Sequence, residues 1–513
     1  MTDGSRRKNA GMEPRFGALN PILQRRMRDW NVPGLAVGVV TRDHVLFSAA
    51  HGFRDPRRGL PVTTRTNFVI CSATKAFTAT AVGILVDEGK LDWDKPVREY
   101  IPSFRMGDPI VSERLTARDL LCHRSGYSGN DAVWITSPAS RAQLVERLRY
   151  LVPNKDFRTV YQYSNLLYML VGYLVEQVSG RTWEQFVRER IFAPLGMKES
   201  GFGTDDAPPS DDFAVGHHGR ARQRVLPYRD SHGRKSFADA VGAVGPAGSI
   251  MSNLPDMCRW AQLQLNHGEY REGDRAPARV ISEKNLAEVH TPLIPMPDPM
   301  PGSDERMNAS QAMGWVVSAY RGYRMISHSG NFGGFISNVS FLPGESLGIV
   351  LLTNSDYSSL DQVIPLTIYD RLLGLREVGW NKRWKRMFDQ WNAAVKAGSA
   401  IRPRKRGTHP SHPLSHYAGD YEHPAYGRLR VSTGKGRLQI TYNRFLFHVK
   451  HHHYDIFRMD PDRRNFRSLG TMYAAFHMNE AGDIDSISVP LEPPVGDILF
   501  KKISSRKDRV PGS

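Results

Sequence analysis

Ser72 and Lys75 stand three positions apart in Ser72-Ala73-Thr74-Lys75, where a segment with helical apolar spacing begins. Residues three apart on a helix share a face. A serine hydroxyl is a weak nucleophile until its proton is removed. A lysine can remove that proton once burial or nearby positive charge lowers its pKa. The free N–H groups and the dipole at a helix start favour the negative charge that develops. The chemistry of such a pair is acyl transfer through a serine ester. The spacing also fits an N-capping serine with an exposed lysine, but the strand-like run Asn67 to Cys71 leading straight into the helix favours chemistry. Cys71 is a rival thiol expected to point elsewhere.

Two later clusters could complete a site. In Tyr163-Ser164-Asn165 a polar segment meets an apolar helix. A tyrosine near cations can act as a general base, and an asparagine can hold a substrate carbonyl. The competing reading is a core tyrosine followed by an N-cap. His328-Ser329-Gly330 lies between strand signals. Backbone N–H groups on an edge strand there can bind an oxyanion or a substrate amide. Gly330 would let substrate approach the backbone closely. The competing reading is a strand end before a glycine-rich turn, GNFGG.

The elements that must position these residues are legible in outline. Leu35–Val40 and Val45–Ala50 predict a hairpin. Ser72–Glu88 predicts a helix stopped by Gly89. Leu115–Leu121 reads as a short helix. Ser164–Val178 is apolar almost all round, as a buried helix is, and Gly180 closes it. Thr182 to Gln185 is a capping-box pattern. Residues 203–248, rich in Gly, Pro, Asp and Arg, read as long loops shaping a cleft. Ser252 or Asn253 caps a helix through Leu265. Tyr323–Ser327, Phe335–Leu342 and Leu347–Thr353 read as neighbouring antiparallel strands before a helix, Leu360–Leu373. Strands at both ends with helices between imply an α+β sandwich: an antiparallel sheet, flanking helices and a helical insertion.

With 513 residues, more than one domain is expected. The predicted division is a flexible tail, 1–18; an α/β unit, 19–396; a basic linker, 397–416; a small all-β barrel or sandwich, 417–503; and a tail, 504–513. The net charge of +17 invites a nucleic-acid reading. The densest basic stretch, Arg376 to Arg406, carries no nucleic-acid signature and reads as a solvated helix and linker, so no nucleic-acid partner is expected. Cys71, Cys122 and Cys258 match no metal or disulfide framework. His448, His451, His452 and His453 lack supporting carboxylate or cysteine spacing. On an alternating strand His451 and His453 share one face, and His448 and His452 the other. No apolar run spans a bilayer and no signal peptide is evident, so a cytoplasmic location is expected.

Taken together, Ser72-Ala73-Thr74-Lys75, Tyr163-Ser164-Asn165 and His328-Ser329-Gly330, with LVDEGKLDWDKPVREYIPSF, ARDLLCHRSG and FAPLGM around them, resemble the penicillin-recognising serine hydrolases, class C β-lactamase-like branch, over roughly residues 20–375. The resemblance implies Ser72 as nucleophile, Lys75 as its proton partner and Tyr163 as general base. It implies Asn165, His328 and Gly330 as substrate-binding residues, and the backbone N–H groups of Ser72 and Asn331 as the oxyanion hole. The Ser-Asp-Asn and Lys-Thr-Gly signatures of class A relatives are absent. His328 stands where β-lactamases carry a lysine, and a histidine is mostly neutral at pH 7. This favours an esterase, D-amino-acid peptidase or amidase over an efficient β-lactamase. The region 417–500, with LFHVKHHHYDIF, resembles the lipocalin-like domain of some relatives and is expected to cap or narrow the cleft. The expected substrate is a small molecule or peptide, with no metal or organic cofactor, and self-association into a homo-oligomer is compatible with this reading. Alternatives on the same residues are an acyltransferase or peptide cyclase, and an acyl-binding sensor without turnover.

Overall fold

The run LAVGVV is apolar at every position because both of its faces are covered. In the computed structural model, helix α1 (Leu19–Trp30) precedes strand β1 (Gly34–Val40), which is buried throughout. β1 pairs with β2 (Val45–Asp55), forming the expected hairpin. Then come α2 (Thr74–Asp87), α3 (Asn165–Ser179) and α4 (Leu254–Leu265). Five strands follow: β3 (Arg306–Gln311), β4 (Val316–Tyr320), β5 (Tyr323–Phe332), β6 (Phe335–Leu342) and β7 (Leu347–Thr353). Helices α5 (Leu360–Leu373) and α6 (Trp380–Gly398) complete this part. The structure describes residues 16–203, 211–220, 222–225, 241–271, 277–398, 402–434, 436–462 and 470–503. The expected tails fall outside them except for 16–18, as does much of the 203–248 loop region.

The antiparallel sheet runs β3-β4-β5-β6-β7-β1-β2, with Ile294–Pro295 and Leu60–Pro61 as short edge strands. Late strand β7 lies beside early strand β1, Leu35 opposite Thr353 and Val40 opposite Gly348. Alternation then assigns the faces. Leu35, Val37 and Val39 pack with α1, α5 and α6. Ala36 and Val40 join the other core, which contains Leu254, Met257 and Trp260 of α4. Fully burying one such side chain stabilises by about 1.5–3 kcal/mol. Gly38 is where α4 comes closest: a Cβ there would stand 2.7 Å from Cys258 Sγ.

Helix ends follow their signals. Gly89 and Gly180 follow α2 and α3 with φ of 68° and 70°. Thr182 and Gln185 form the capping box. Asn253, not Ser252, caps α4. One boundary differs: β5 continues through His328, Ser329 and Gly330 to Phe332, so the motif lies inside a strand. β5 is interior to the sheet as far as Ser327, its last pairing with β4, while His328–Phe332 pair with β6 alone. The edge expected there is thus local.

The remaining strands are β8 (Gly419–His423), β9 (Gly427–Gly434), β10 (Arg437–Tyr442), β11 (Phe445–His453), β12 (Ile456–Pro461), β13 (Met472–Met478), β14 (Ile484–Glu492) and β15 (Gly496–Lys502). They close into an antiparallel barrel. Leu438, Ile440, Tyr442, Phe445, Phe447 and Val449 are buried at alternate positions along β10 and β11. The histidine run breaks that alternation. A register shift between His451 and His453 sets His451 opposite inward-facing Phe457 but His453 opposite Ile456, so these two do not share a face; His452 is buried beside the Tyr473 ring, 4.8 Å away, and His448 stays outside beside Asp462 at 3.1 Å. Among the described residues no cluster of three His, Cys, Asp or Glu could hold a metal, and no helix is long and apolar enough to cross a membrane.

Candidate active site

Ser72 occupies a short 3-10 turn, Cys71–Ala73, that runs into α2, so Lys75 falls in the first turn of the helix, three residues after Ser72, and is fully buried. Tyr163 and Asn165 flank the N-cap of α3. Ser164 Oγ caps Leu167 N at 3.3 Å, and Ser164 N donates to buried His123 Nδ1 at 3.1 Å, which fixes the loop on both sides. These elements bring the side chains together. Tyr163 OH donates to Ser72 Oγ at 2.8 Å. Lys75 Nζ lies 3.3 Å from Ser72 Oγ and donates to Asn165 Oδ1 at 2.7 Å and to Ala247 O at 2.8 Å. It also sits 4.7 Å from the Tyr163 ring centroid and 5.2 Å from that of Tyr168.

Burial lowers the Lys75 pKa to about 7, against a smaller upward pull from Asp131. A neutral amine has two N–H groups and one lone pair. Asn165 and Ala247 take the two hydrogens, which leaves the lone pair for the Ser72 hydroxyl. Burial pushes the Tyr163 phenol well above its ordinary range, opposed by its bond to Ser72. Near neutral pH the arrangement thus presents a lysine lone pair and a tyrosine proton to one serine oxygen.

Ser72, Tyr163, Asn165, His328 and Asn331 all line one cleft of about 680 Å³. Ser329 lines it too, whereas Gly330 does not. A Cβ on Gly330 would stand 2.1 Å from Ile70 O and 2.8 Å from Cys71 Cβ, so the close approach at this glycine is made by the turn bearing Ser72, not by substrate. Asn165 gives its oxygen to Lys75 and has its nitrogen 3.4 Å from Asp131 Oδ1; an amide nitrogen carries two N–H groups, and Asn165 also lines the cleft. His328 Nδ1 is 2.7 Å from the Ser329 carbonyl, and burial, with Lys75 nearby, lowers its pKa to about 3. Burial thus favours the neutral ring. Cys71 also lines the cleft, but it is buried with its Sγ 3.5 Å from Phe332 O, and desolvation pushes its thiol pKa up, which disfavours the thiolate.

Several cleft residues escape sequence reasoning. Asp131 accepts from Trp134 Nε1 at 2.8 Å as well as from Asn165. Arg306, the one Lys or Arg among the described lining residues, bonds Gln362 and lies near Asp361. Trp384 and Phe388 bring α6 into the cleft wall. Nothing local marks these positions; they are assembled from separate elements.

A family model described as Beta-lactamase matches residues 19–370. The chain belongs to the beta-lactamase family. A second model, described as a domain of unknown function (DUF3471), matches residues 403–502, the stretch that holds the barrel. Among relatives of this family member, the unguisins hydrolase of Aspergillus campestris is 27% identical over 431 residues, covering 80% of this chain and 76% of its own. The octameric penicillin-binding protein homologue from Pyrococcus abyssi shares the fold, with a TM-score of 0.57 at 20% identity, over 94% of this chain and 99% of that one. A class C beta lactamase from Rhodobacter sphaeroides does so with 0.54 at 21% identity, over 70% and 98%. The protein is thus a member of a beta-lactamase-fold family of hydrolases.

Proposed function

We propose that the protein is a serine hydrolase that cleaves an ester or amide through an acyl-enzyme on Ser72. The observation that carries this reading is the meeting of a lysine lone pair and a tyrosine hydroxyl at Ser72 Oγ. As Oγ bonds to the acyl carbon, its proton passes to Lys75 Nζ. The carbonyl oxygen, now negative, is held by the backbone N–H groups of Ser72 and Asn331. Tyr163 gives its proton to the departing oxygen or nitrogen and recovers one from Lys75. Water then enters by the reverse path, Tyr163 taking its proton, and frees the acid. Lys75 is thereby the first base and Tyr163 the relay. Burial, which depresses the lysine and raises the phenol, supports Lys75 as the first acceptor of the serine proton, with Tyr163 acting as base toward water.

Asn165 acts on Lys75 in this scheme, and the acyl group is met by His328, Ser329 and the Arg306–Asp361 end of the cleft. A neutral His328 supplies no permanent charge for a β-lactam carboxylate, so esters, D-peptides and amides are the preferred panel. The unit 19–396 and the barrel 417–503 are read as two domains, with catalysis in the first. The test is intact-mass spectrometry after a fluorophosphonate, on wild type and on Ser72→Ala. A phosphonyl adduct on wild type only is expected. An unlabelled wild type, or equal labelling of both, would overturn the reading. Turnover of the panel with and without an added amine separates hydrolysis from acyl transfer.

A further inference from the structure

None of the described barrel residues lines the cleft. The barrel grips instead a stretch that does. Tyr426 OH donates to Asn130 Oδ1 at 2.9 Å, and Tyr442 OH has its one proton between Ala132 O at 2.8 Å and Tyr426 O at 2.9 Å. Asn443 Nδ2 donates to Ala132 O at 3.3 Å and to Ile135 O at 3.1 Å, and Arg444 N to Thr136 Oγ1 at 3.3 Å. Buried Glu492 of β14 faces the backbone N–H groups of Asn130 and Asp131. Asn130 and Thr136 have φ of 47° and 55°, a left-handed backbone that non-glycine residues keep only when surroundings impose it.

Within this stretch Asp131, Trp134 and Ile135 line the cleft. Asp131 holds Asn165, and Asn165 holds Lys75. A polar chain therefore runs from the barrel to the reactive amine. We propose that Tyr426, Tyr442 and Asn443 are positioning residues for acyl transfer: they hold residues 130–136 in the one shape that lets Asp131 set Asn165 and Lys75 against Ser72. This makes the barrel part of the reactive apparatus, and it rests on the reading of Ser72 and Lys75 given above.

The groups facing Lys75 are Asp131, Cys71, Tyr163, Tyr168, His123 and His328. Asp131 is the carboxylate among them and favours the protonated amine. The full-length double variant Tyr426→Phe/Asn443→Ala, with Tyr442→Phe as a second, independent variant, tests the proposal in two ways. Hydrogen exchange by mass spectrometry, which needs no catalysis, is expected to quicken in 128–136 while barrel strands stay protected. Fluorophosphonate labelling of Ser72 is expected to slow by roughly ten- to hundredfold, with its acid limb displaced to lower pH. Asp131→Asn should give the same displacement, and combining it with the double variant should add nothing further. Unchanged exchange in 128–136, an unmoved pH profile, or additive effects would overturn the proposal. A wild type that never labels refutes the reactive pair instead, and exchange alone then decides whether the barrel holds 130–136.

Discussion

At the scale of single residues, the proposed mechanism makes Lys75 set the pH behaviour. Protonated, it has no lone pair for Ser72; neutral, it does. With a pKa lowered to about 7, the labelling rate of Ser72 should climb between roughly pH 6 and 8 and level off above. Tyr163→Phe should leave that limb in place and lower the plateau by about 10²- to 10⁴-fold, the usual range for loss of a proton-transfer group. A rate profile with no inflection in that window would contradict the assignment of the base. The sequence carried Ser72, Lys75, Tyr163 and Asn165 openly, because each lies in a short run at a helix start. It could not rank the two proton carriers, since that order depends on how deeply each is buried. Asp131, Arg306 and Asp361 were silent for a different reason: they reach the cleft from unrelated elements, and no local pattern records that convergence.

At the scale of elements, the turn bearing Ser72 is held by contact rather than by a side-chain cap. Cys71 keeps a φ of 49° just before Ser72, and its turn presses on β5 at Gly330. Gly330→Ala would drive a methyl group into the Ile70 carbonyl. Overpacking of this kind costs about 1–3 kcal/mol, and here the relief route is displacement of Ser72. The variant should lose labelling far beyond its loss of denaturant stability; a stability loss with full labelling would show that the turn tolerates the shift. The hairpin and strands β5 to β7 were legible through their two-residue periodicity and turn residues. The end of β5 was not, because Ser329-Gly330-Asn331 is polar and glycine-bearing yet pairs fully with β6. The shift at His452 was hidden likewise, since a bulge changes which side chains face inward without changing composition.

At the scale of the whole molecule, the joining of early and late strands was readable from element order, whereas regularly spaced short strands left a barrel or a sandwich open and the resemblance to lipocalin-like domains pointed to the barrel. The role of α6 was not. Its many lysines and arginines suggested a solvated helix, but Trp380, Met387 and Phe388 pack on the second core, and Phe388 meets Trp30 at 5.2 Å and Tyr357 at 4.9 Å between ring centroids. Phe388→Ala in the full chain should widen the cleft, raising the preference for bulky over small acyl esters while Ser72 still labels; an unchanged preference would mean that this wall does not select substrate.

One consequence concerns where such a chain can be cut. The family match ends at residue 370, yet the cleft borrows Trp384 and Phe388 from beyond it. A fragment trimmed at the homology border would keep every residue assigned to bond making and lose one side of the chamber around it. Any transferable piece needs α6 and, on the positioning role proposed for Tyr426, Tyr442 and Asn443, the barrel strands through Lys502 as well.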